Sequence, residues 1–284
     1  MESKPRKLWI AGLLTILIIG LGHLYSGRVQ KGVFLYIGQY VALMVCVILI
    51  LIFPSLLVLA ACSVLGVAYF IYSIVDSVLC AKRSKPTYHL KKYNRWYVYL
   101  GIFFVCSFIV QPAVSHTIKT YWAQAYKIPS GAMKPTLMPG DHILVRKGLA
   151  VKDGVQKGDI VVFPYPEDPS KSFIKRVIGL GGQRIEVKEK NVIINNEIIG
   201  EPYKIHMDSR DIPEHHSTRD NMPSVVIPDD SVFLMGDNRD NSHDSRFWGA
   251  VKKSSIAGKA TVIYWSWDKE SFKIRWGRIG QTVD

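Results

Sequence analysis

Cysteine is scarce in this 284-residue chain, and acid is almost absent from its first 118 residues. The four cysteines (Cys46, Cys62, Cys80 and Cys106) all lie within or at the ends of hydrophobic runs, and none follows Cys106. The second half therefore has no disulfide of its own. Neither a Cys-x-x-Cys pair nor a His-Glu-x-x-His run offers a metal site, and His215-His216 reads as a solvated loop. No metal and no cofactor is expected. Residues 1–118 hold 2 acids, Glu2 and Asp76, against 11 Lys and Arg, while residues 119–284 hold 21 acids against 25. The net charge of +13 thus sits mostly between apolar runs, where membrane proteins retain Lys and Arg on the cytoplasmic side. No nucleic-acid recognition motif accompanies the charge, so nucleic acid is not expected as a partner.

What the first half does have is long apolar stretches. Leu8–Tyr25 comes after a short basic start (Lys4, Arg6, Lys7). Val33–Phe53 and Leu56–Leu79 are long enough to cross about 30 Å of hydrocarbon as helices, with a turn at Pro54-Ser55. Ala81–Trp96 then carries Lys82, Arg83, Lys85, Lys91, Lys92 and Arg95 without an acid, and a last apolar segment covers 97–114. The basic loop is expected in the cytoplasm, so the last segment carries the C-terminal half of the chain to the far side. A cytoplasmic N-terminus then requires an even number of earlier crossings. The run 8–25, interrupted by Gly12, Gly20, Gly22, His23 and Gly27, is therefore expected as a partial or re-entrant insertion against Val33–Phe53. The alternative is an external N-terminus. Asp76, near a helix end, reads as an interfacial residue. Residues 1–118 are thus a membrane-anchoring region of three to four segments with no catalytic chemistry.

No long helical period appears after residue 119. Behind Tyr121-Trp122, an interfacial anchor pair, come short apolar or alternating runs: 142–145, 160–163, 173–178, 184–187, 192–195, 225–227, 231–235 and 261–265. Residues 119–284 read as a mostly-β domain with a polar, turn-rich inserted cap at about 183–224. The aromatic tail (Tyr264, Trp265, Trp267, Phe272, Trp276) is either core or a surface resting on lipid headgroups.

The chain is organised around Tyr126–Lys147, YKIPSGAMKPTLMPGDHILVRK. Pro129-Ser130-Gly131-Ala132-Met133 is a tight bend with exposed backbone N–H groups, the kind of place where a hydrolase sets a nucleophile beside an oxyanion hole. Position 132 lacks what that chemistry needs: a methyl group cannot attack a carbonyl. The stretch resembles the signal peptidase I family, whose motif here reads Pro-Ser-x-Ser-Met-x-Pro-Thr-Leu. Three further stretches resemble that family in the same order. They are Gly140–Val145 (GDHILV), Phe173–Leu180 (FIKRVIGL) and Met235–Gly249 (MGDNRDNSHDSRFWG). Together they span nearly all of residues 126–260.

The resemblance implies N-terminal transmembrane helices followed by a mostly-β catalytic domain with a Ser/Lys dyad. Position 132 is that of the nucleophile, Lys175 the general base and Ser242 the residue that orients the lysine. Ser130, with the backbone N–H of residue 132, forms the oxyanion hole, and Ile128, Pro129 and Met133 bind substrate. Asp244 and Arg246 form a structural ion pair, with Asp237, Arg239 and Arg176 in the same support. An ordinary lysine is protonated at neutral pH, and the neighbours Phe173, Ile174, Val177 and Ile178 suit the burial that lowers its pKa. The implied substrates are secretory preproteins with small residues at −1 and −3, and the further partners are membrane lipid and the translocation machinery. The implied location is the cytoplasmic membrane, multi-pass, with the catalytic domain on its extracytoplasmic side. Having a base and an oxyanion hole without a nucleophile, the chain is expected to bind substrate without cutting it. Ala132 marks either a replaced serine or a natural pseudoenzyme; the intact Lys175 and Ser242 favour the first. A competing reading is a non-catalytic signal-peptide receptor. Another is a relative of the self-cleaving repressor proteases, against which the membrane segments and the Gly236–Gly249 motif argue.

Overall fold

The computed structural model describes residues 6–84, 88–148 and 154–283; Lys4 and Lys85, two of the basic residues behind the expected topology, lie outside them. The chain divides into two compact units, Met1–Phe53 with Leu57–Ile118, and Pro54–Leu56 with Lys119–Asp284.

In the first unit the run 8–25 is not one helix. It forms α1 (Leu8–Leu17) and α2 (Leu21–Tyr25), and the 10 residues of α1 rise only about 15 Å, half of a hydrocarbon core. The break falls at Gly20, whose φ of +99° suits glycine and whose missing side chain lets its backbone rest on the Gly32 carbonyl of α3 (Val29–Ile52). Among the described residues, three helical stretches are long and apolar enough to cross a membrane: α3, α4 (Leu56–Arg83) and Trp96–Tyr121. The last joins α5 (Trp96–Val105) to α6 (Gln111–Tyr121) through a π-helical turn at Cys106–Val110.

Asp76, read from the sequence as an interfacial residue, has partners on two other helices. Its carboxylate takes a hydrogen bond from Lys31 Nζ at 2.8 Å and lies 2.8 Å from His23 Nε2, so it ties α2, α3 and α4 together. The partners lie 53 and 45 positions away in sequence, which is why no local pattern exposed them. His23, Asp76 and Cys80 place ligand-type atoms within 4.8 Å of one another. One carboxylate oxygen is already held by an ammonium, which fits a neutralised polar cluster better than a cation site.

The second unit is built on two antiparallel sheets. The larger runs in the order β1-β2-β11-β3-β4-β9-β10, with β12 added beside β11. Its strands are β1 (Ala123–Lys127), β2 (Asp141–Arg146), β3 (Ile160–Tyr165), β4 (Asp168–Leu180), β9 (Ser231–Met235), β10 (Val251–Lys252), β11 (Gly258–Asp268) and β12 (Lys273–Ile274). The smaller sheet has the order β7-β6-β5-β8, from β5 (Arg184–Lys188), β6 (Asn191–Ile194), β7 (Glu197–Ile198) and β8 (Met222–Val226). One core lies around Ile128, Met133, Leu137, Ile143 and Ile160, and another around Val161, Phe163, Val177 and Leu234.

Segment 183–224 is more than a polar cap. Ile185, Val187, Val192, Ile194 and Met222 are buried in an apolar core shared with Ile178, Phe233 and Met235. Alternation explains the polar composition: β5 and β6 bury every second residue and leave the others exposed or partly exposed. Of the aromatic tail, Trp265, Phe272 and Trp276 are exposed, so they form surface rather than core.

Candidate active site

The bend after β1 is pinned at both ends. Ile128 N–H donates to the Asp141 carbonyl at 2.8 Å, and Gly140 N–H to the Ile128 carbonyl at 2.9 Å, which closes residues 128–141 into a loop. Asp141, fully buried, accepts from Ser266 Oγ at 2.6 Å, Arg278 Nη2 at 2.6 Å and Met138 N–H at 2.8 Å. Within the loop Ile128 and Met133 are core side chains, while Pro129 and Ser130 are exposed and Ala132 is half-buried.

The turn after β9 grips this bend. Asn238 N–H donates to the Ala132 carbonyl and Asn238 Nδ2 to the Gly131 carbonyl, each at 3.1 Å. Gly236 is a close-approach glycine, because any side chain there would collide with Ser242 Oγ and with the Ala132 carbonyl. Positions 132, 236 and 242 therefore converge on one point. In the β4–β9 register Arg176 faces Met235, and one further step along the two chains sets Lys175 across from Gly236.

Lys175 is 4% exposed and makes no hydrogen bond or ion pair among the described residues. Its ammonium lies 5.6 Å from the centre of the Phe173 ring, which itself stacks on Tyr165 and meets Trp248 edge-on. Burial pushes its pKa down from 10.5 to about 8, against the pull of the Asp244 carboxylate. Ser242 Oγ is likewise buried without a hydrogen bond of ordinary geometry among the described residues, though it lies close enough to Asp244 to favour that carboxylate. Asn238 Oδ1 is buried without a partner as well. Unsatisfied polar atoms gathered at one backbone bend are unusual in a folded interior and mark a place prepared for something else.

The surrounding charges are satisfied. Asp244 accepts from Arg246 Nε at 2.8 Å and Nη2 at 2.9 Å and from Gly236 N–H at 3.0 Å, and it caps α7 (Ser245–Trp248). Burial raises the Asp244 carboxyl, but Arg246, with Lys175 and Ser242 beside it, outweighs that and holds it below its ordinary value. Arg176 forms two 3.0 Å bonds to Asp237, donates to the Gly158 carbonyl at 2.8 Å and lies 4.0 Å over the Tyr203 ring. Thr136 Oγ1 joins Asp237 at 2.5 Å, which links the bend to this pair. Arg239 stays in this support, its carbonyl accepting from Arg246 Nη2 at 2.7 Å and its Nε donating to the Gly236 carbonyl at 3.2 Å. It adds a carboxylate partner, Glu201, reached at 2.8 Å by Nη1.

The structure thus brings Ala132 and Ser242 together at Gly236 and sets Lys175 across from that glycine by strand register. Thr136 ties the bend to the Asp237–Arg176 pair, and the Gly236 N–H ties that glycine to Asp244–Arg246. Sequence reasoning missed Gly236, Asn238, Thr136, Glu201 and Asp141. The first two sit inside a motif already singled out, where the glycine and the amide were the available signal. Glu201 sits in the segment dismissed as cap.

The sequence profile of the signal peptidase (peptidase S26) family matches residues 98–265. The chain belongs to the signal peptidase I family. It is 32% identical over 272 residues to the signal peptidase I of Pseudomonas aeruginosa, a match that covers 76% of this chain and 92% of that one. It is 35% identical over 200 residues to the signal peptidase I of Aquifex aeolicus, covering 52% and 78% respectively. A crystal structure of the signal peptidase I of Enterococcus faecalis overlaps 37% of this chain and 96% of its own at 28% identity and a TM-score of 0.31, too partial to carry weight. Among its described residues this family member has helices long and apolar enough for a membrane, and its β domain holds a buried lysine, Lys175.

Proposed function

We propose that the site is a Ser/Lys dyad for removing signal peptides from secretory preproteins, held in this chain without its nucleophile. The observation that carries the reading is the buried Lys175 amine, unpaired among the described residues and set by strand register across from Gly236, which abuts Ala132 and Ser242. With serine at position 132, Lys175 takes the hydroxyl proton as the oxygen attacks the carbonyl after a small −1 residue. The developing oxyanion is met by the backbone N–H of residue 132 and by the hydroxyl of the exposed Ser130. Lys175 then passes the proton to the leaving amine as the C–N bond breaks, and water later releases the acyl group. Ser242 takes up and orients the amine once substrate is bound, and the exposed Pro129 offers the contact surface for the signal-peptide side. With Ala132 the chain binds preproteins and leaves them whole.

Three crossings by α3, α4 and the α5–α6 stretch, with α1 and α2 not crossing, let a basic N-terminus and the basic loop share the cytoplasmic side. The β domain then lies outside the cytoplasmic membrane. Exposed Trp265, Phe272 and Trp276 suit contact with lipid headgroups.

Ala132→Ser in detergent, offered a preprotein with an Ala-x-Ala site, tests the reading. Cleavage after the −1 alanine that is lost again on Lys175→Ala supports it. A folded serine form that is inert on several preproteins overturns it in favour of a signal-peptide receptor.

A further inference from the structure

Segment 205–208 runs alongside the turn that grips the bend. Ile205 N–H donates to the Asp237 carbonyl at 2.9 Å, and Arg239 N–H to the Ile205 carbonyl at 3.0 Å. Asp240 then fixes the next two residues, accepting the Met207 and Asp208 N–H groups at 2.7 Å each, with His206 Nδ1 at 3.1 Å from its other oxygen. The backbone of Met207 is therefore rigidly placed, yet its side chain is 66% exposed. The sulfur sits between two amides, 3.6 Å from Asn238 Nδ2 and 3.5 Å from Asn241 Nδ2.

Both amides lead to the site. Asn238 Nδ2 also holds the Gly131 carbonyl, one residue before the nucleophile position, and Asn241 immediately precedes Ser242. An exposed apolar side chain fixed at this place has no packing purpose in its own domain. Resting on the Ser/Lys reading above, we infer that Met207 is a specificity-determining residue that contacts the first two residues of the mature chain, on the leaving-group side of the cut. The side is set by the chemistry. The leaving amine must reach Lys175 for its proton, so the mature chain passes Lys175 and Ser242, the end of the site where Asn241 holds Met207. The signal-peptide side lies instead with Pro129 and the residues beneath it. A methionine is long, unbranched and adaptable, which suits a contact that must accept many mature sequences while favouring apolar ones.

Two measurements on the full-length chain in detergent test this. In the first, kcat/KM of the Ala132→Ser form is compared for two preproteins with Leu or Ser at both +1 and +2. Adding Met207→Ala is expected to lower the Leu-to-Ser ratio about fivefold, and Met207→Leu to restore it. In the second, the chain as it stands is irradiated with a preprotein carrying benzoylphenylalanine at +1 or +2. The expected crosslink maps to the peptide holding Met207, and benzoylphenylalanine at −3 gives none there. A serine form that cuts with an unchanged ratio, or a +1 and +2 crosslink that maps elsewhere, overturns the Met207 assignment alone. A serine form that cuts nothing overturns the dyad reading and this inference with it.

Discussion

Two cations one residue apart in β4 meet opposite surroundings. On one face Lys175 is buried against Phe173 with no hydrogen bond or ion pair among the described residues. On the other, Arg176 is buried with two bonds to Asp237, one to a carbonyl and a ring beneath it. Desolvation acts on both, but only Arg176 has partners that offset it in Coulomb energy and hydrogen bonds. The arginine holds the bend through Asp237 and Thr136. The lysine is left able to give up its proton near neutral pH. Reactivity and support thus share one strand, separated by which side each residue faces.

The largest effect expected from this contrast is on the lysine face. In the Ala132→Ser form, Lys175→Ala should lower cleavage roughly a millionfold, read as preprotein turnover. On the arginine face the loss is of stability. Asp237→Ala strands a buried guanidinium and should cost about 3–5 kcal/mol in urea unfolding followed by tryptophan fluorescence. An Asp237→Ala chain as stable as its parent would erase the distinction between the two faces.

Lys175→Met should move stability the other way. The folded chain holds this amine at about 8 against 10.5, so the unfolded chain binds the proton more tightly and the protein carries a penalty below pH 8. Removing the amine should stabilise the chain by about 3 kcal/mol near neutral pH. That advantage should fade as pH rises from about 8 to 10.5, where the lysine is neutral in both states. A variant less stable than its parent near neutral pH would mean that the amine is paired after all. The smallest effect is at the meeting point itself. Gly236→Ala, whose new methyl would strike Ser242 Oγ and the Ala132 carbonyl, should cost about 1–3 kcal/mol in the same urea unfolding.

Much of the site was legible because its parts are contiguous. The bend 129–133, Lys175 between apolar neighbours and the 235–249 stretch each announce themselves locally. What escaped depends on distant partners. Glu201 meets Arg239 from 38 positions away, and Asp141 meets Arg278 from 137 away. β1 escaped because AQAYK shows no apolar alternation; only Ala123 of its five residues is buried, as suits an edge strand. The smaller sheet was misjudged because composition averages over its two faces, and the buried Ile and Val were outnumbered by wet neighbours. In the first unit the glycines of the run 8–25 signalled an interruption, and Gly20 supplies it. Nothing local pointed to the His23–Asp76–Lys31 cluster.

The most direct test of the central claim, that Lys175 is the proton acceptor for position 132, is the pH dependence of kcat/KM for the Ala132→Ser form. Because a protonated amine cannot act as base, activity should be low in acid and rise through an apparent pKa of about 8. A profile that is flat across that region, or a rise that survives Lys175→Ala, would contradict the account.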